Sequence, residues 1–254
     1  MTTKYFKNLE IVGYKFGDNE PPVLFDNLTQ YVDIIDGIKD NISFYNKYTI
    51  VSGDRPDTLS YKLYGTTDYY WTFFLLNDHI RQSGWPVKGH EILEQSKSKY
   101  PYRTVTTNTN IAKSFPVGQV VTGSESGTTG TIIRRILDMG QLVIDTGGEP
   151  NLENFGPTEQ IQYISTQDGE TFTANLVKES EQYNSVHHYE DADGVYQDLT
   201  LFDFANPSPT WTAITYRDRL EKRNDELKEI AVLKPSVIAK VVSEFNNFQK
   251  QRVR

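Results

Sequence analysis

The chain has 254 residues, enough for one large domain or two smaller ones. Aromatic residues make up 13% of it although the mean hydropathy is −0.55, a combination typical of a folded protein with a polar surface. The formal net charge of −8 repels a phosphate backbone, so nucleic acid is not an expected partner. The sequence has no cysteine, which excludes disulfides, thiolate metal sites and a cysteine nucleophile.

Targeting and membrane segments are not expected. The first residues mix charged and isolated apolar positions, and the longest apolar run, residues 71–76, is much too short to cross a bilayer. We therefore expect a chain that is neither exported by a signal peptide nor membrane-spanning.

Residues 1–25 are predicted to form an extended arm with at most one short strand, because Pro21-Pro22 and several glycines interrupt the apolar positions. Apolar residues then recur at spacings of three and four, which predicts a helix over about residues 26–40. Residues 44–51 are β-branched and aromatic and predict a strand. Three short helices follow, predicted over residues 58–64, 69–76 and 88–99.

The composition changes between about residues 112 and 180, where glycine, threonine, serine and valine dominate. Turn residues recur there every few positions, a spacing typical of a small β-barrel or sandwich. We predict a separate all-β insert, with strands at residues 117–122, 129–136, 141–146, 159–164 and 171–177.

The last part of the chain is predicted to be mostly loop over residues 181–211, then a charged helix over 213–227 and a short strand over 229–233. Pro235 fits the first turn of a further helix with an apolar stripe. This C-terminal stripe consists of Ile238, Val241, Val242, Phe245 and Phe248. It needs burial, either against the predicted helix at residues 26–40 or against a partner protein.

Motifs for catalysis or metal binding are weak. The four histidines include no pair four residues apart, and His187-His188 beside the acidic residues 190–193 fits a solvated loop better than a metal site. The glycine-rich residues 123–130 lack the lysine of a P-loop and predict a tight turn. No Gly-x-Ser-x-Gly elbow occurs. We therefore expect no enzymatic activity, no catalytic residue, no metal site and no cofactor.

The most specific pattern lies in residues 48–78. Eight residues fall in the order seen in LysM modules: Tyr48, Ile50, Gly53, Asp54, Leu59, Tyr64, Trp71 and Asn77. The segment resembles a LysM module, which implies a βααβ unit. It departs from that family at Arg55-Pro56-Asp57, in the loop where LysM modules contact N-acetylglucosamine polymers.

The second helix of this module is expected to supply core, because so small a unit needs its large side chains inside. The side chains assigned to that core are Trp71, Phe73, Phe74, Leu75 and Leu76. At about 100° per residue, at least one of Tyr69 and Tyr70 faces outward. Both tyrosines, together with Arg55, are therefore interface candidates.

A wider resemblance adds blocks outside the module. They are Gly84-Trp85, Lys99-Tyr100 and the segment 224–234, which precedes the C-terminal helix. With the module they are similar to the LysM-containing baseplate wedge proteins of T-even-type contractile-tailed bacteriophages, over roughly residues 26–105 and 213–250. Residues 112–180 lie outside that pattern and are similar to small β modules that decorate many phage structural proteins.

This resemblance implies a non-enzymatic subunit of the virion tail baseplate, made in the host cytoplasm, that clamps neighbouring wedges around the central hub. It implies contacts with the helical-bundle wedge core and with the neighbouring wedge, in about six copies or a multiple of six. Neither nucleic acid nor a membrane is an expected partner. The alternative is a glycan-binding LysM protein that binds peptidoglycan and is associated with cell-wall degradation.

The predicted fold class is α+β, with a LysM-like βααβ core and flanking helices, an inserted small all-β barrel and C-terminal amphipathic helices. Four regions are expected: the arm at residues 1–25, the helix, LysM-like module and following helix at 26–111, the inserted β domain at 112–180, and the return loop with the C-terminal helices at 181–254.

Overall fold

The computed structural model describes residues 11–16, 21–26, 42–147, 154–156, 158–165, 169–199 and 207–252. Helices and strands are mixed along these residues, consistent with the α+β class. The chain divides into two compact units, unit 1 (residues 1–88 with 223–254) and unit 2 (residues 89–222). The helix predicted over residues 26–40 lies outside the described residues, apart from Asp26, which ends a strand.

The described strands are, in chain order, β1 (Ile11–Tyr14), β2 (Val23–Asp26), β3 (Tyr45–Thr49), β4 (Arg103–Thr107), β5 (Val120–Gly123), β6 (Thr129–Ile136), β7 (Gln141–Asp145), β8 (Gln160–Ile164), β9 (Thr171–Glu181), β10 (Val186–Glu190), β11 (Tyr196–Gln197), β12 (Thr212–Thr215) and β13 (Glu229–Leu233). The described helices are α1 (Pro56–Tyr64), α2 (Trp71–Leu76), α3 (Asp78–Ser83), α4 (Gly89–Lys99), α5 (Tyr216–Glu226) and α6 (Ile238–Arg252).

The N-terminal segment contains a β-hairpin, where an arm with at most one short strand was predicted. Strands β1 and β2 pair antiparallel, with Val12 opposite Phe25 and Tyr14 opposite Val23. Pro21 and Pro22 lie just before β2 and not within it, so they leave its ladder hydrogen bonds intact. The prolines therefore mark the approach to a strand and do not exclude one.

The aromatic module of unit 1 is built around a two-stranded antiparallel sheet of β3 and β13, with Thr49 opposite Glu229 and Tyr45 opposite Leu233. Helix α1 begins at Pro56, whose missing N–H is tolerated in a first turn, and ends at Gly65, whose φ of 72° suits glycine. The core between sheet and helices consists of Ile50, Leu59, Phe73, Ile80, Ile230 and Val232.

Asn77 connects the helices of the module to β13. Its side-chain nitrogen donates to the carbonyl oxygens of Phe73 and Ala231, and its side-chain oxygen accepts from the N–H of Ala231, each at 2.8 Å. The residue is 5% exposed. A buried amide with three such bonds fixes the register of β13 against the end of α2.

The C-terminal stripe on α6 packs inside unit 1. Ile238, Val241 and Phe245 are buried, and the ring centroids of Phe245 and Trp71 lie 5.0 Å apart. Among the described residues, the side chains that cover the stripe come from α2, β13 and the segments around them. The stripe's predicted need for burial is thus met within the chain, while the side chain of Phe248 lies outside the described residues.

Six strands of unit 2 close into a barrel in the order β4-β7-β6-β5-β8-β9, with β9 pairing back to β4. All six neighbouring pairs are antiparallel, and their interior side chains form one core that includes Val105, Ile132 and Leu142. The strands from β5 to β9 overlap the predicted ones. The barrel starts before the predicted boundary at residue 112, because β4 pairs with both β7 and β9 and closes it.

A second, smaller sheet of unit 2 has the strand order β11-β10-β12. Strand β12 occupies the first residues of the helix predicted over 213–227. Thr215 and Asp218 then form a reciprocal cap: the N–H of Thr215 donates to the Asp218 carboxylate at 2.8 Å, and the N–H of Asp218 donates to the Thr215 hydroxyl at 3.1 Å. This cap fixes the start of α5 at Tyr216.

The chain leaves and re-enters unit 1 at two points that lie close together in space. The N–H of Val87 donates to the side-chain oxygen of Asn224 at 2.8 Å, and the side-chain nitrogen of Asn224 donates to the carbonyl of Val87 at 3.2 Å. Asn224 is buried. Because the two ends meet within unit 1, a short linker can replace all of unit 2.

Deletion of residues 89–222, with a short Gly-Ser bridge, is expected to leave unit 1 folded with its own cooperative melt, because β3, β13 and the helices between them stay complete. Circular dichroism during heating tests this. A matched deletion of residues 113–180 removes every barrel strand except β4 and exposes its edges, so this variant should aggregate. A non-cooperative melt of the first variant contradicts the expectation.

Substitution Trp71→Ala is expected to lower the free energy of unfolding by about 3–5 kcal/mol, because the ring is 8% exposed and packs against Phe245. Chemical denaturation of the full chain measures it. The control is Tyr61→Ala on α1, where the side chain is 63% exposed and the expected change is within about 0.5 kcal/mol. Equal stabilities of the two variants contradict the core assignment.

Candidate interaction surfaces

The interface candidates of the aromatic module divide into exposed and packed residues. Tyr69 is half-buried, 6.0 Å from the ring of Tyr64, and packs against the residues of α6. Tyr70 is half-buried beside Trp71. The side chain of Arg55 is 77% exposed and pairs with Asp57 at 3.2 Å. Of the three, Arg55 presents the most open side chain.

The other candidates lie on the C-terminal stripe. Ile238, Val241 and Phe245 belong to the core of unit 1 and offer no open surface, and Val242 is half-buried beside them. Tyr61 is 63% exposed on α1 and is not an interface candidate. Helical spacing accounts for this exposure, since the inward positions Leu59 and Leu63 leave Tyr61 on the opposite face.

The N-terminal hairpin exposes more large apolar side chains than any other described element of unit 1. Six of them are between 46% and 68% exposed: Ile11, Tyr14, Phe16, Val23, Leu24 and Phe25. The ring of Phe16 lies 5.1 Å from that of Tyr14 and 6.0 Å from that of Phe25. The hairpin is therefore a candidate docking surface, which the sequence indicated only as an arm.

The glycine-rich residues 123–130 form the turn that was predicted, and this turn binds a carboxylate of the same chain. Glu159 accepts hydrogen bonds from the N–H groups of Glu125 and Ser126 at 2.8 and 2.9 Å, and from the Ser126 hydroxyl at 2.8 Å. A Cβ at Gly123 would lie 2.7 Å from the oxygens of Glu159, so only glycine fits there.

The carboxylate in this turn is held ionised. Burial raises the pKa of Glu159, but the hydrogen bonds from Ser126, Glu125 and Gly156 together outweigh burial and hold that pKa below its usual value. Backbone N–H groups that a bound anion would use are therefore occupied by Glu159. This supports the turn interpretation over a phosphate site.

His187 and His188 lie on β10 and not in a solvated loop, so that prediction is wrong. Adjacent strand residues normally point to opposite faces, but the register of β10 against β12 shifts between Val186 and His188. This bulge brings the two rings together, with 3.0 Å between their Nδ1 atoms. The sequence has no feature that marks the bulge.

The two rings belong to a chain of hydrogen bonds in which each donor and each acceptor can be assigned. The Arg219 guanidinium can only donate, so Nε2 of His187, at 2.5 Å, accepts, and the Nδ1–H of His187 donates to His188. Nε2–H of His188 then donates to Glu190 at 3.2 Å, and Lys222 donates to the same carboxylate at 3.0 Å. In this arrangement His187 carries its one proton on Nδ1.

Tyr216 links this chain of residues to the barrel. Its hydroxyl accepts a hydrogen bond from Arg134 of β6 at 2.7 Å, and its ring lies 4.6 Å from that of Tyr100 and 4.8 Å from that of His187. Burial lowers the pKa of His187, and the cations Arg219 and Arg134, together with His188, bring it to about 4.

Unit 2 is expected to lose stability as the pH falls from about 6.5 towards 4, because the unfolded chain binds a proton at His187 that the folded chain does not. His187 is half-buried, so solvent screening limits the loss to about 1–2 kcal/mol. The free energy of unfolding, measured by denaturant titration at several pH values, should show this loss in wild type and less of it in His187→Gln.

The glutamine accepts a hydrogen bond but cannot be protonated in this range. The matched control is His90→Gln on α4, where the side chain is 73% exposed, and it should keep the wild-type pH dependence. Identical pH dependence in wild type and His187→Gln contradicts the role of His187.

The described residues were also compared with the requirements of a metal site and of a membrane-spanning helix. Among the residues that the structure describes, no group of three or more histidine, aspartate or glutamate side chains is placed to hold a metal ion. No described helix combines the length and the apolar character that crossing a membrane requires.

Comparison with known proteins addresses the N-terminal part of the chain. Residues 1–116 match a protein family described as "Base plate wedge protein 53". The matched segment is a little under half of the chain and contains the hairpin, helices α1 to α4 and the first barrel strand. No curated protein matches the chain.

The match supports a phage baseplate wedge protein with a structural role in the baseplate. It also implies a place in the virion tail baseplate and contacts with other baseplate proteins. The resemblance seen in the sequence pointed to the same class of protein. Residues 117–254, with most of the barrel and the C-terminal helices, lie outside the match.

Proposed function

We propose that the chain is a non-enzymatic structural subunit of a contractile phage tail, which joins neighbouring baseplate wedges around the hub. The observation that carries the proposal is the match of residues 1–116 to a baseplate wedge family. Its partners are then the helical-bundle wedge core and the neighbouring wedge, with about six copies or a multiple of six in each baseplate.

In this proposal the LysM-like module is a rigid scaffold and not a glycan-binding site. Its large side chains support this, because Trp71, Phe73 and Leu75 are buried in the cores of unit 1. A scaffold of this kind keeps its shape while its outer surface contacts a partner, and it leaves no aromatic ring of α2 free to stack on a sugar.

The loop before α1 also supports a structural role. The Asp54 carboxylate pairs with Lys62 at 2.5 Å, the Asp54 carbonyl accepts from the indole N–H of Trp85 at 2.7 Å, and Arg55 pairs with Asp57. These are polar groups of the loop in which LysM modules bind glycans. Here they are used for contacts within the chain, which favours the clamp over the glycan-binding alternative.

Unit 2 adds a second body with its own core to this scaffold. The closed barrel has few free strand edges, so it presents side chains and loops to its surroundings. We infer that it is an inserted domain that increases the surface available for contacts in the baseplate, since chain entry and exit meet at Val87 and Asn224.

Co-expression with the wedge-core proteins of the same phage is expected to yield a complex that survives size-exclusion chromatography. The free chain should show no retention on purified peptidoglycan at micromolar concentration, whereas a glycan-binding LysM protein, used as the positive control, should be retained. Retention on peptidoglycan without a wedge complex contradicts the structural role and favours the glycan-binding alternative.

A further inference from the structure

We propose that the hairpin formed by residues 11–16 and 21–25 inserts into an apolar cleft of another baseplate protein, with one cleft wall against each face. The proposal rests on the proposed function, which supplies the class of partner. The hairpin lies inside the segment that matches the wedge family, whereas most of the barrel lies outside it.

The register assigns side chains to the two faces of the hairpin. Opposite residues of an antiparallel pair share a face, and successive residues of a strand alternate. Tyr14 therefore shares the first face with Val23 and Phe25, and Phe16 packs beside them. The second face carries Ile11, with Gly13 opposite Leu24, and it ends at Asp26, which the register places opposite Ile11.

Both faces expose apolar side chains, and the charged Asp26 lies at one end of the second face. On the first face Phe16 is 67% and Tyr14 59% exposed, and on the second face Leu24 is 68% and Ile11 62% exposed. Antiparallel strands with one solvated face usually carry polar side chains there, and two-stranded hairpins are only marginally stable alone in water. This hairpin has an apolar surface on each side that a partner can cover.

The exposed area suits a specific interface. Aromatic side chains carry on the order of 150–250 Å2 each and aliphatic ones less, so three of each kind, about half exposed, leave roughly 500 Å2 uncovered. One partner of a standard protein interface contributes about 800 Å2. The hairpin alone thus supplies most of one side of such an interface.

Because the exposed apolar side chains lie on both faces of the hairpin, a cleft is a better partner than a single surface. A flat partner surface, or a second copy stacked face to face, covers one face and leaves the other in water. A hairpin is a single layer of two strands, about 4.8 Å apart in the plane of the sheet, and its two faces can contact two opposite walls. A cleft with apolar walls therefore buries both faces in one contact.

Gly13 is consistent with a close wall on the second face. Its φ is not in the positive region, and a Cβ at this position would make ordinary contacts, 3.5 Å from Pro22 and 3.8 Å from Leu24. The hairpin itself therefore does not require glycine. Glycine within a strand is typical of sites where another backbone approaches closely.

The test uses the full chain co-expressed with the wedge-core proteins of the same phage. Phe16→Asp changes the first face, Leu24→Asp changes the second, and Gly13→Val adds apolar bulk to the second face. Each variant is expected to weaken the complex at least tenfold in a pulldown titration. The matched control, Tyr61→Asp on α1, changes an equally exposed aromatic residue of unit 1 and should bind as wild type does.

Thermal melts of the free variants show that loss of binding is not loss of the fold. Phe16→Ser and Leu24→Ser replace any aspartate variant that does not melt like wild type. Gly13→Val distinguishes binding against a close wall from non-specific apolar binding. It increases the apolar surface, which would strengthen non-specific binding, but it should weaken binding where a wall lies close.

The outcomes distinguish this inference from the proposed function. If wild type binds and both faces are needed, the cleft is supported. If only one face matters, or if none of the hairpin variants loses binding, the cleft is wrong while the baseplate role stands. If wild type forms a dimer that the hairpin variants dissociate, the occupant is a second copy and the inference is overturned. If wild type binds no wedge protein, both proposals fail.

Discussion

The pairing of β3 with β13 is the constraint on which the rest of unit 1 depends. Thr49 and Glu229 are 180 residues apart, yet their side chains hydrogen-bond across this sheet at 2.6 Å. The core under the sheet and the Asn77 contacts to Ala231 require β13 in its register. The module is therefore complete only after most of the chain has been synthesised, and the loop closed between β3 and β13 holds all of unit 2.

That dependence explains the position of α6. The helix follows β13 directly, so the pairing that closes the sheet also delivers Ile238 and Phe245 to the aromatic surface of α2. Trp71 and Phe245 then bury each other, although neither is close to the other in sequence. From the sequence, the stripe could pack either within the chain or against a partner, and Ile238, Val241 and Phe245 pack within unit 1.

Local signals were enough to predict the barrel strands from β5 to β9, because alternating apolar residues and turn glycines lie next to each other in the chain. Closure by β4 was not predictable, since Pro101 marks only the break after the helix, and Arg103–Thr107 pair with strands far along the chain. The same limit applies to candidate sites. The bulge beside His187 and the docking of α6 on α2 depend on non-local packing, whereas the exposure of Tyr61 followed from helical spacing.

The polar groups that resembled ligand sites in the sequence make hydrogen bonds within the chain. Glu159 accepts hydrogen bonds from the N–H groups of the glycine-rich turn, and Asp54 pairs with Lys62. The two histidines form a chain of hydrogen bonds that runs from the donor Arg219 to the acceptor Glu190. Apolar side chains on the hairpin, by contrast, are left open on both faces. Because apolar contact is non-directional, a partner can be held there by shape and area alone, without rearranging the polar network inside either unit. This division suits a structural joint, whose interior stays fixed while its surface binds.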